Sequence, residues 1–276
     1  MQFNSRRLSR LLALLTAAWS WQTASAVDVM WNKMPGSALH VAGNEAGRAW
    51  MIGVDRASDS GFSIYSFSNG AWNKEAGAGR RITVDPSGRP WMVDDQNKIY
   101  RYDLNSNSWQ VLPGLGTDIA AGGDGSIWLL GAGKVVGGYS VFKWDNPSQN
   151  WSLISGAGVR IAVEKSGAPW LVNDNGDIFR YDLQSGSWSQ KPGKARSVHT
   201  GLGSGAVWVI GTEPMIGGYA VSRYVTATQA WEPYGSYGAV AMTEAAGAPW
   251  IVQGDGSLYS KLPDIVITIT TDPATL

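Results

Sequence analysis

The sequence of 276 residues contains no cysteine and only two histidines, His40 and His199. The first absence excludes disulfides, thiolate zinc sites and cysteine nucleophiles, and the second excludes a histidine-rich metal site. Charged residues make up only 16% of the chain, and the 22 basic residues are balanced by 22 acidic ones. A protein that binds nucleic acid normally has a clear basic excess, so this balance argues against that class.

The chain also lacks an apolar run long enough to span a membrane. The short apolar stretch 11–19 follows three arginines and precedes the small-residue triplet Ala24-Ser25-Ala26. This pattern is typical of a secretory signal peptide that is cleaved after Ala26. We therefore expect residues 1–26 to be a signal peptide and the mature protein to be secreted or periplasmic, with no transmembrane span. The alternative is a retained N-terminal anchor.

Tryptophan and glycine are present in excess, with 15 and 35 residues. Twelve of the tryptophans fall on two registers of one period of about 40 residues. The first register is Trp50, Trp91, Trp128, Trp170, Trp208 and Trp250, and the second is Trp31, Trp72, Trp109, Trp151, Trp188 and Trp231. A residue that recurs once per repeat at a fixed place is most simply part of the packing between repeats. We therefore interpret all twelve as structural.

Each repeat contains four short segments with the composition of β-strands. In the fourth repeat these segments are Val159–Val163, Pro169–Val172, Ile178–Tyr181 and Ser187–Gln190. Turn residues such as Asn175-Gly176 separate them, as in β-hairpins. Helical periodicity is absent from the mature chain. Four strands repeated six times predict an all-β fold, a six-bladed β-propeller of four-stranded blades, over residues 27–262.

The last repeat lacks a fourth strand, because no tryptophan follows Trp250. The missing strand is found at the start of the mature chain, where residues 30–36 match residues 108–114 of the second repeat. We predict that this N-terminal strand completes the last blade, since an open array would expose a sheet edge. The C-terminal tail 263–276 is β-prone, and it either pairs with an edge or a partner protein or simply frays.

The motifs of these repeats resemble those of the tectonin family. They are the Gly-x-Pro-Trp second strand at 167–170, the Gly-Gly-Tyr hairpins at 137–139 and 217–219, and the aromatic–basic–aromatic third strand at 179–181. The resemblance covers residues 27–262. It implies a six-bladed propeller and, as in several members of the family, lectin activity toward glycans or bacterial envelope polysaccharide.

The long hairpins of the first, third and fifth repeats are the first candidate carbohydrate-binding sites. Gly138-Tyr139 and Gly218-Tyr219 are matched, and Phe62 holds the corresponding place in the first repeat. A glycine lets a ligand approach the backbone N–H groups, and the aromatic ring offers a face for stacking on a sugar. The alternative is plain turn chemistry followed by the first residue of a strand.

A second set of candidates lies on the first strand of each repeat. The residues ten positions before the first-register tryptophans are His40, Arg81, Asp118, Arg160, Val198 and Val240. Such varied chemistry indicates a solvent-facing place, either a central channel or a rim, so Arg81, Asp118 and Arg160 are candidate carbohydrate ligands. The alternative is a set of solvated side chains and local ion pairs. Trp144 falls on neither register and is a further candidate.

Catalysis has little support in the sequence. A glycosidase needs two placed carboxylates, and a lyase that uses His199 as its base is the enzymatic alternative. We therefore expect an exported, non-catalytic lectin that binds glycans multivalently, with no metal or other cofactor. A second reading, from a different class, is an exported propeller scaffold that docks a partner protein through its rim or its tail.

Overall fold

The computed structural model describes residues 31–261, which form 22 β-strands and no helix. The first strands are β1 Trp31–Gly43, β2 Ala49–Ser58, β3 Gly61–Ser68, β4 Ala71–Gly79, β5 Arg81–Val84, β6 Pro90–Val93, β7 Lys98–Asp103 and β8 Ser108–Ala121. The next are β9 Ile127–Val135, β10 Gly138–Asp145, β11 Asn150–Gly158, β12 Arg160–Val163, β13 Pro169–Val172, β14 Asp177–Asp182 and β15 Ser187–Lys194. The last are β16 Ser197–Thr200, β17 Val207–Met215, β18 Gly218–Val225, β19 Ala230–Pro233, β20 Ala241–Ala245, β21 Ala248–Val252 and β22 Ser257–Lys261.

The expected signal peptide 1–26 and the tail 263–276 lie outside the described residues. Within residues 31–261, no helix has the length and apolar character needed to cross a membrane.

All strands pair antiparallel, in two seven-stranded and two four-stranded sheets. The orders are β20-β21-β22-β1-β2-β3-β4, β11-β10-β9-β8-β7-β6-β5, β12-β13-β14-β15 and β16-β17-β18-β19. The two larger sheets arise because β1 and β8 each pair with two different partners along their length. β1 pairs with β22 through Trp31–Ser37 and with β2 from Ala38 onward. The N-terminal part of β1 is therefore joined to the C-terminal strand of the described chain.

Short hairpins are held by side chains that accept hydrogen bonds from their own turn. Asp94 Oδ1 accepts from the backbone N–H groups of Gln96 and Lys98, both at 2.8 Å. Asn173 Oδ1 makes the same contacts with Asn175 at 3.0 Å and Asp177 at 2.8 Å. Asparagine and aspartate favour turns for this reason, so the turn residues of the sequence translate directly into the β6–β7 and β13–β14 hairpins.

The innermost strands contact one another in a closed cycle, β1–β5–β8–β12–β16–β20 and back to β1. Threonines join neighbouring members of the cycle. Thr243 Oγ1 accepts from the N–H of Gly43 at 3.0 Å, and Thr83 Oγ1 accepts from the N–H of Ala121 at 3.0 Å. The sheets therefore radiate from a common centre, which is the arrangement of a β-propeller.

The second-register tryptophans link each repeat to the one before it. The indole Nε1 of Trp72 donates to the carbonyl oxygen of Pro35 at 2.9 Å, and Trp231 donates to Pro192 at 2.8 Å. The same bond recurs for Trp109 with Ala76, Trp151 with Pro113 and Trp188 with Ser155. Trp31, the remaining tryptophan of this register, packs its indole against Gly235, which lies about 200 residues further along the chain.

The first-register tryptophans form the buried layer beneath these links, with exposed fractions between 1% and 7%. The ring centroid of Trp170, for example, lies 5.9 Å from that of Trp231 in the next repeat. Aromatic pairs in this geometry contribute about 0.5–1.5 kcal/mol each beyond their buried area. The contacts confirm the interpretation of both registers as packing residues.

Candidate functional site

The innermost strands surround a central cavity of about 570 Å³. Its lining includes all six residues that stand ten positions before a first-register tryptophan, namely His40, Arg81, Asp118, Arg160, Val198 and Val240. Arg81, Arg160, Val198 and Val240 lie at or next to the start of their strands, whereas His40 and Asp118 lie in the C-terminal parts of the long strands β1 and β8. The structure therefore brings the first-strand candidates together around one space.

Asp118 is the most buried charged residue of this lining, with 5% of its surface exposed. Its carboxylate accepts hydrogen bonds from the backbone N–H groups of Ile119 and Ile161, both at 3.2 Å. Its Oδ1 also lies 3.8 Å from Nε of Arg81. Burial, opposed by Asp118, lowers the pKa of Arg81 to about 10, so the guanidinium remains charged near neutral pH. The Asp118 side chain thus joins β8 to β12 and compensates one arginine.

Arg160 has no such compensation. Its Nη1 donates to the carbonyl oxygen of Val159 at 2.6 Å, and no carboxylate oxygen of residues 31–261 lies within ion-pair distance of it. Its charge adds to that of Arg81 around the two histidines, His40 and His199. The cavity wall therefore carries an unbalanced positive charge.

Both histidines of the chain face this environment. Burial, together with Arg81 and Arg160, lowers the pKa of His199 to about 3, and the same causes hold the pKa of His40 well below its usual range. His199 Nε2 lies 2.8 Å from Ser197 Oγ, whereas His40 Nδ1 has no hydrogen-bond partner among the described residues. The imidazoles are neutral near pH 7 and act as uncharged donors and acceptors.

The cavity mouth is bordered by the long hairpin between β17 and β18. Tyr219 lines the cavity together with Arg196, whose guanidinium carbon lies 4.0 Å from the centroid of the tyrosine ring. The short hairpin residues 173–176 form another part of the mouth, with Asp174 among them. The structure thus places one aromatic candidate of the hairpins beside the first-strand candidates.

The glycines of the long hairpins are placed by backbone packing. A side chain on Gly218, with φ of 151°, would bring its Cβ within 2.6 Å of the Ala239 carbonyl carbon. Gly138, with φ of 135°, abuts Gly158 in the same way. Both positions require glycine because a neighbouring segment approaches too closely for any side chain.

The remaining candidates lie away from the cavity lining. Tyr139 is half-buried and packs against the core cluster that contains Trp128 and Ile161. Phe62 is also half-buried, and the guanidinium carbon of Arg56 lies 5.0 Å from its ring centroid.

Trp144 is part of the aromatic core. It is 6% exposed, its Nε1 donates to Asn146 Oδ1 at 2.9 Å, and its ring lies 4.9 Å from that of Trp151. It occupies the third-strand place that Tyr181 and Tyr224 occupy in the next two repeats, which explains why it falls on neither tryptophan register.

A second hollow of about 690 Å³ lies between β13–β14 and β18. Its charged residues include Glu164 and Arg180, which are paired with Nε and Oε1 at 2.7 Å. Glu164 also accepts from Trp170 Nε1 at 2.5 Å. Lys191 and Arg223 also line this hollow, and neither forms an ion pair with a carboxylate of residues 31–261.

Sequence reasoning did not select Arg196, Ser197 or Thr200, although all three line the cavity. Arg196 lies just outside a strand, so the fixed offset from the tryptophans does not reach it. Ser197 and Thr200 lie on β16 with Val198, which is the residue ten positions before Trp208. Only their polar side chains could have marked them in the sequence as candidates for the cavity lining.

The fold and the closed cycle of strands define the protein as a β-propeller. A family model described as the Tectonin domain matches residues 20–212, and the chain therefore belongs to the tectonin family. No curated protein matches the sequence.

Three solved structures share the fold. A structural genomics protein of unknown function from Bacteroides thetaiotaomicron has a TM-score of 0.60 at 8% identity, over 84% of this chain and 72% of that chain. YCF48 bound to D1 peptide gives 0.54 at 12% identity, over 85% and 97% of the two chains. Virginiamycin B lyase from Staphylococcus aureus gives 0.54 at 14% identity, over 85% and 99%. At these identities the likeness concerns the fold alone.

Proposed function

We propose that this tectonin-family propeller is an exported, non-catalytic carbohydrate-binding protein whose principal site is the central cavity. The observation that carries the proposal is the chemistry of the wall. Guanidinium, imidazole and hydroxyl groups converge there beside the ring of Tyr219. A sugar presents many hydroxyl groups and one apolar face, so it needs several placed donors and acceptors together with an aromatic surface.

The proposed architecture is a ring of six four-stranded blades. Division of β1 and β8 at the points where they change partner yields six groups of four strands. The N-terminal part of β1 then serves as the fourth strand of the last blade, and the contact of Trp31 with Gly235 supports this closure. A closed ring holds the cavity residues, which come from different blades, in fixed positions.

Multivalent binding is part of the proposal. The long hairpins recur on alternate blades, and Phe62, Tyr139 and Tyr219 are the second residues of the returning strands β3, β10 and β18. Individual contacts to sugar hydroxyls are weak, and several contacts on one rigid ring strengthen retention on a polysaccharide or a cell envelope. Export is proposed from the signal-like residues 1–26, and N-terminal sequencing of the secreted protein would test it.

The histidines support a binding role over a catalytic one. A general base works best with a pKa near the operating pH. His199, the candidate base of a lyase, has its pKa lowered to about 3 by burial and the neighbouring arginines. Asp118 is already held by two backbone N–H groups and Arg81.

The proposal is tested by filling the cavity. Val240 lines the cavity and is 42% exposed, so Val240→Trp occupies the space without disturbing a buried contact. The matched control is Val111→Trp, because Val111 is 61% exposed on β8 and does not line the cavity. Retention on a panel of immobilised polysaccharides is expected to fall for Val240→Trp and to match the wild type for Val111→Trp. Equal retention by both variants would contradict the cavity as the principal site.

A second candidate function is protein docking, and the tips of two long hairpins favour it. Val136 is 99% exposed and Ile216 is 90% exposed, at the same position of their hairpins. Exposed apolar residues of this kind are typical of contact surfaces, and YCF48, a structure with the same fold, is bound to a peptide. The double variant Val136→Ser/Ile216→Ser separates the two functions. It leaves polysaccharide retention unchanged if the cavity is the site, and it abolishes capture of an envelope protein if the tips are the site.

A further inference from the structure

We infer that the central cavity binds the anionic group of an acidic sugar, a carboxylate or a phosphate carried on a polyol. The inference rests on the proposed carbohydrate binding and names the ligand class of the same site.

The wall of the cavity carries more positive than negative charge. The charged residues that line the cavity and its mouth are Arg81, Arg160, Arg196, Asp118 and Asp174. Asp118 already accepts from two backbone N–H groups and lies 3.8 Å from Arg81, and Asp174 lies on the exposed hairpin at the mouth. Arg160 and Arg196 therefore provide positive charge that no carboxylate of residues 31–261 pairs with.

A guanidinium donates two parallel hydrogen bonds to a carboxylate or a phosphate, and it does so more strongly where bulk water is partly excluded. Arg160 is the first residue of β12, is half-buried and lines the cavity. An anion in the cavity would supply the partner that this arginine lacks.

The two histidines of the cavity make anion binding depend on pH. The groups that face them across the cavity are Arg81, Arg160 and Asp118, together with each other. The arginines oppose protonation of both imidazoles, so the pKa of each is low in the empty cavity. A bound anion acts in the opposite direction and favours the imidazolium form. Binding of an acidic sugar is therefore expected to raise both pKa values, so that proton uptake accompanies binding at acidic pH and not near pH 7.

The size of the cavity fits this ligand. Small-molecule sites typically measure about 300–1,000 Å³, and the central cavity measures about 570 Å³. This space accommodates one or two sugar residues, such as the end or a side branch of a polysaccharide. Ser197, Thr200 and Tyr219 also line the cavity. Thr200 Oγ1 donates to the carbonyl oxygen of Val163 at 2.7 Å, so this hydroxyl is left as an acceptor for a sugar hydroxyl.

The test is isothermal titration of the mature chain with four probes, namely glucuronic acid, glucose 6-phosphate, glucose and inorganic phosphate. The two acidic sugars are expected to bind at least about tenfold more tightly than glucose near pH 7. Proton uptake is expected in titrations at about pH 5, and it is measured by comparing buffers of different ionisation enthalpy. Inorganic phosphate is expected to bind more weakly than glucose 6-phosphate. Equal affinity for glucose and glucuronic acid would overturn the inference. Equal affinity for phosphate and glucose 6-phosphate would show that the sugar adds nothing to binding, and would overturn the assignment of a sugar as the ligand.

Variants of Arg160 localise the effect. Arg160→Gln removes the charge and breaks no ion pair, so the variant is expected to fold, and melting curves would check this. It is expected to lose about tenfold or more in affinity for both acidic sugars, while Arg160→Lys retains most of it. The matched control is Arg223→Gln, because Arg223 is an exposed arginine of β18 that lines the second hollow and not the central cavity. Equal affinities for Arg160→Gln and Arg223→Gln would refute the assignment.

The outcomes separate this inference from the proposed function. If the protein retains neutral polysaccharides and shows no preference for acidic sugars, the carbohydrate-binding proposal stands and the anion site is wrong. If it retains no polysaccharide and binds none of the three sugars, both are wrong.

Discussion

The two cavity histidines make the stability of the protein depend on pH, and the size of the effect follows from the structure. The pKa of His199 is about 3 in the folded protein, against an ordinary value of 6.5. Below pH 6.5 the unfolded chain therefore binds a proton that the folded chain excludes, and stability is lost as the pH falls toward 3. Between pH 6.5 and about pH 5 the difference spans about 1.5 pH units, which corresponds to about 2 kcal/mol. His40 contributes in the same direction.

The variant His199→Gln removes this contribution. A glutamine does not titrate, and its amide group can replace the contact between His199 Nε2 and Ser197 Oγ. Urea unfolding, followed by tryptophan fluorescence at about pH 7.5 and about pH 5, is expected to show that the variant loses about 2 kcal/mol less than the wild type between the two conditions. The comparison between pH values cancels any constant cost of the substitution. His40 and His199 are the only histidines of the chain and there is no cysteine, so few other side chains titrate in this window. An equal loss in both proteins would show that His199 is not held neutral by burial and the two arginines.

Three further substitutions, the first with a matched control, test the packing of the protein. Gly218→Ala is expected to cost about 3 kcal/mol or more, because a Cβ there meets the Ala239 carbonyl carbon at 2.6 Å, whereas Gly125→Ala, with φ of 85° and nothing within 4 Å, is expected to cost only about 1 kcal/mol. Equal melting temperatures for the two variants would contradict the close approach. Trp231→Phe keeps an aromatic ring but removes the bond to the Pro192 carbonyl, and denaturant unfolding is expected to show a loss of about 1 kcal/mol. Asp118→Ala leaves Arg81 and two backbone N–H groups without their acceptor, and a loss of about 3 kcal/mol or more is expected by calorimetry, while a change within experimental error would refute the structural role of Asp118.

The sequence was sufficient to locate the strands because the local signals agree with one another. In the fourth repeat the predicted segments Val159–Val163 and Ile178–Tyr181 correspond to β12 Arg160–Val163 and β14 Asp177–Asp182. The differences of one residue at the ends arise where backbone pairing, not side-chain type, decides the boundary. The period of the tryptophans reflects a contact that every repeat must make with its neighbour, so it survives in the sequence as a visible pattern.

The candidate site was predictable only in part. The offset from the tryptophans found Arg81, Asp118 and Arg160 because residues at equivalent positions of different blades meet at the centre. The cation–π contact between Arg196 and Tyr219 joins a loop to a hairpin of the same repeat, and no fixed spacing marks such a pair.

The hairpin glycines show the limit of reading chemistry from residue type. Gly138 and Gly218 are compatible in sequence with a ligand that approaches the backbone. In the structure the approaching group is the protein's own backbone, at Gly158 and Ala239. Only the strand pairing distinguishes the two cases, and the paired residues lie 20 positions after Gly138 and 21 positions after Gly218.

A glycan-array screen of residues 27–276, read with and without a chelator, tests whether the protein binds carbohydrate. We predict that the protein binds one coherent class of glycans, enriched in acidic sugars. The proposed site uses no metal ion, so the chelator is expected to have no effect. A blank array from a folded, monodisperse sample would contradict carbohydrate binding and would favour protein docking through the exposed hairpin tips.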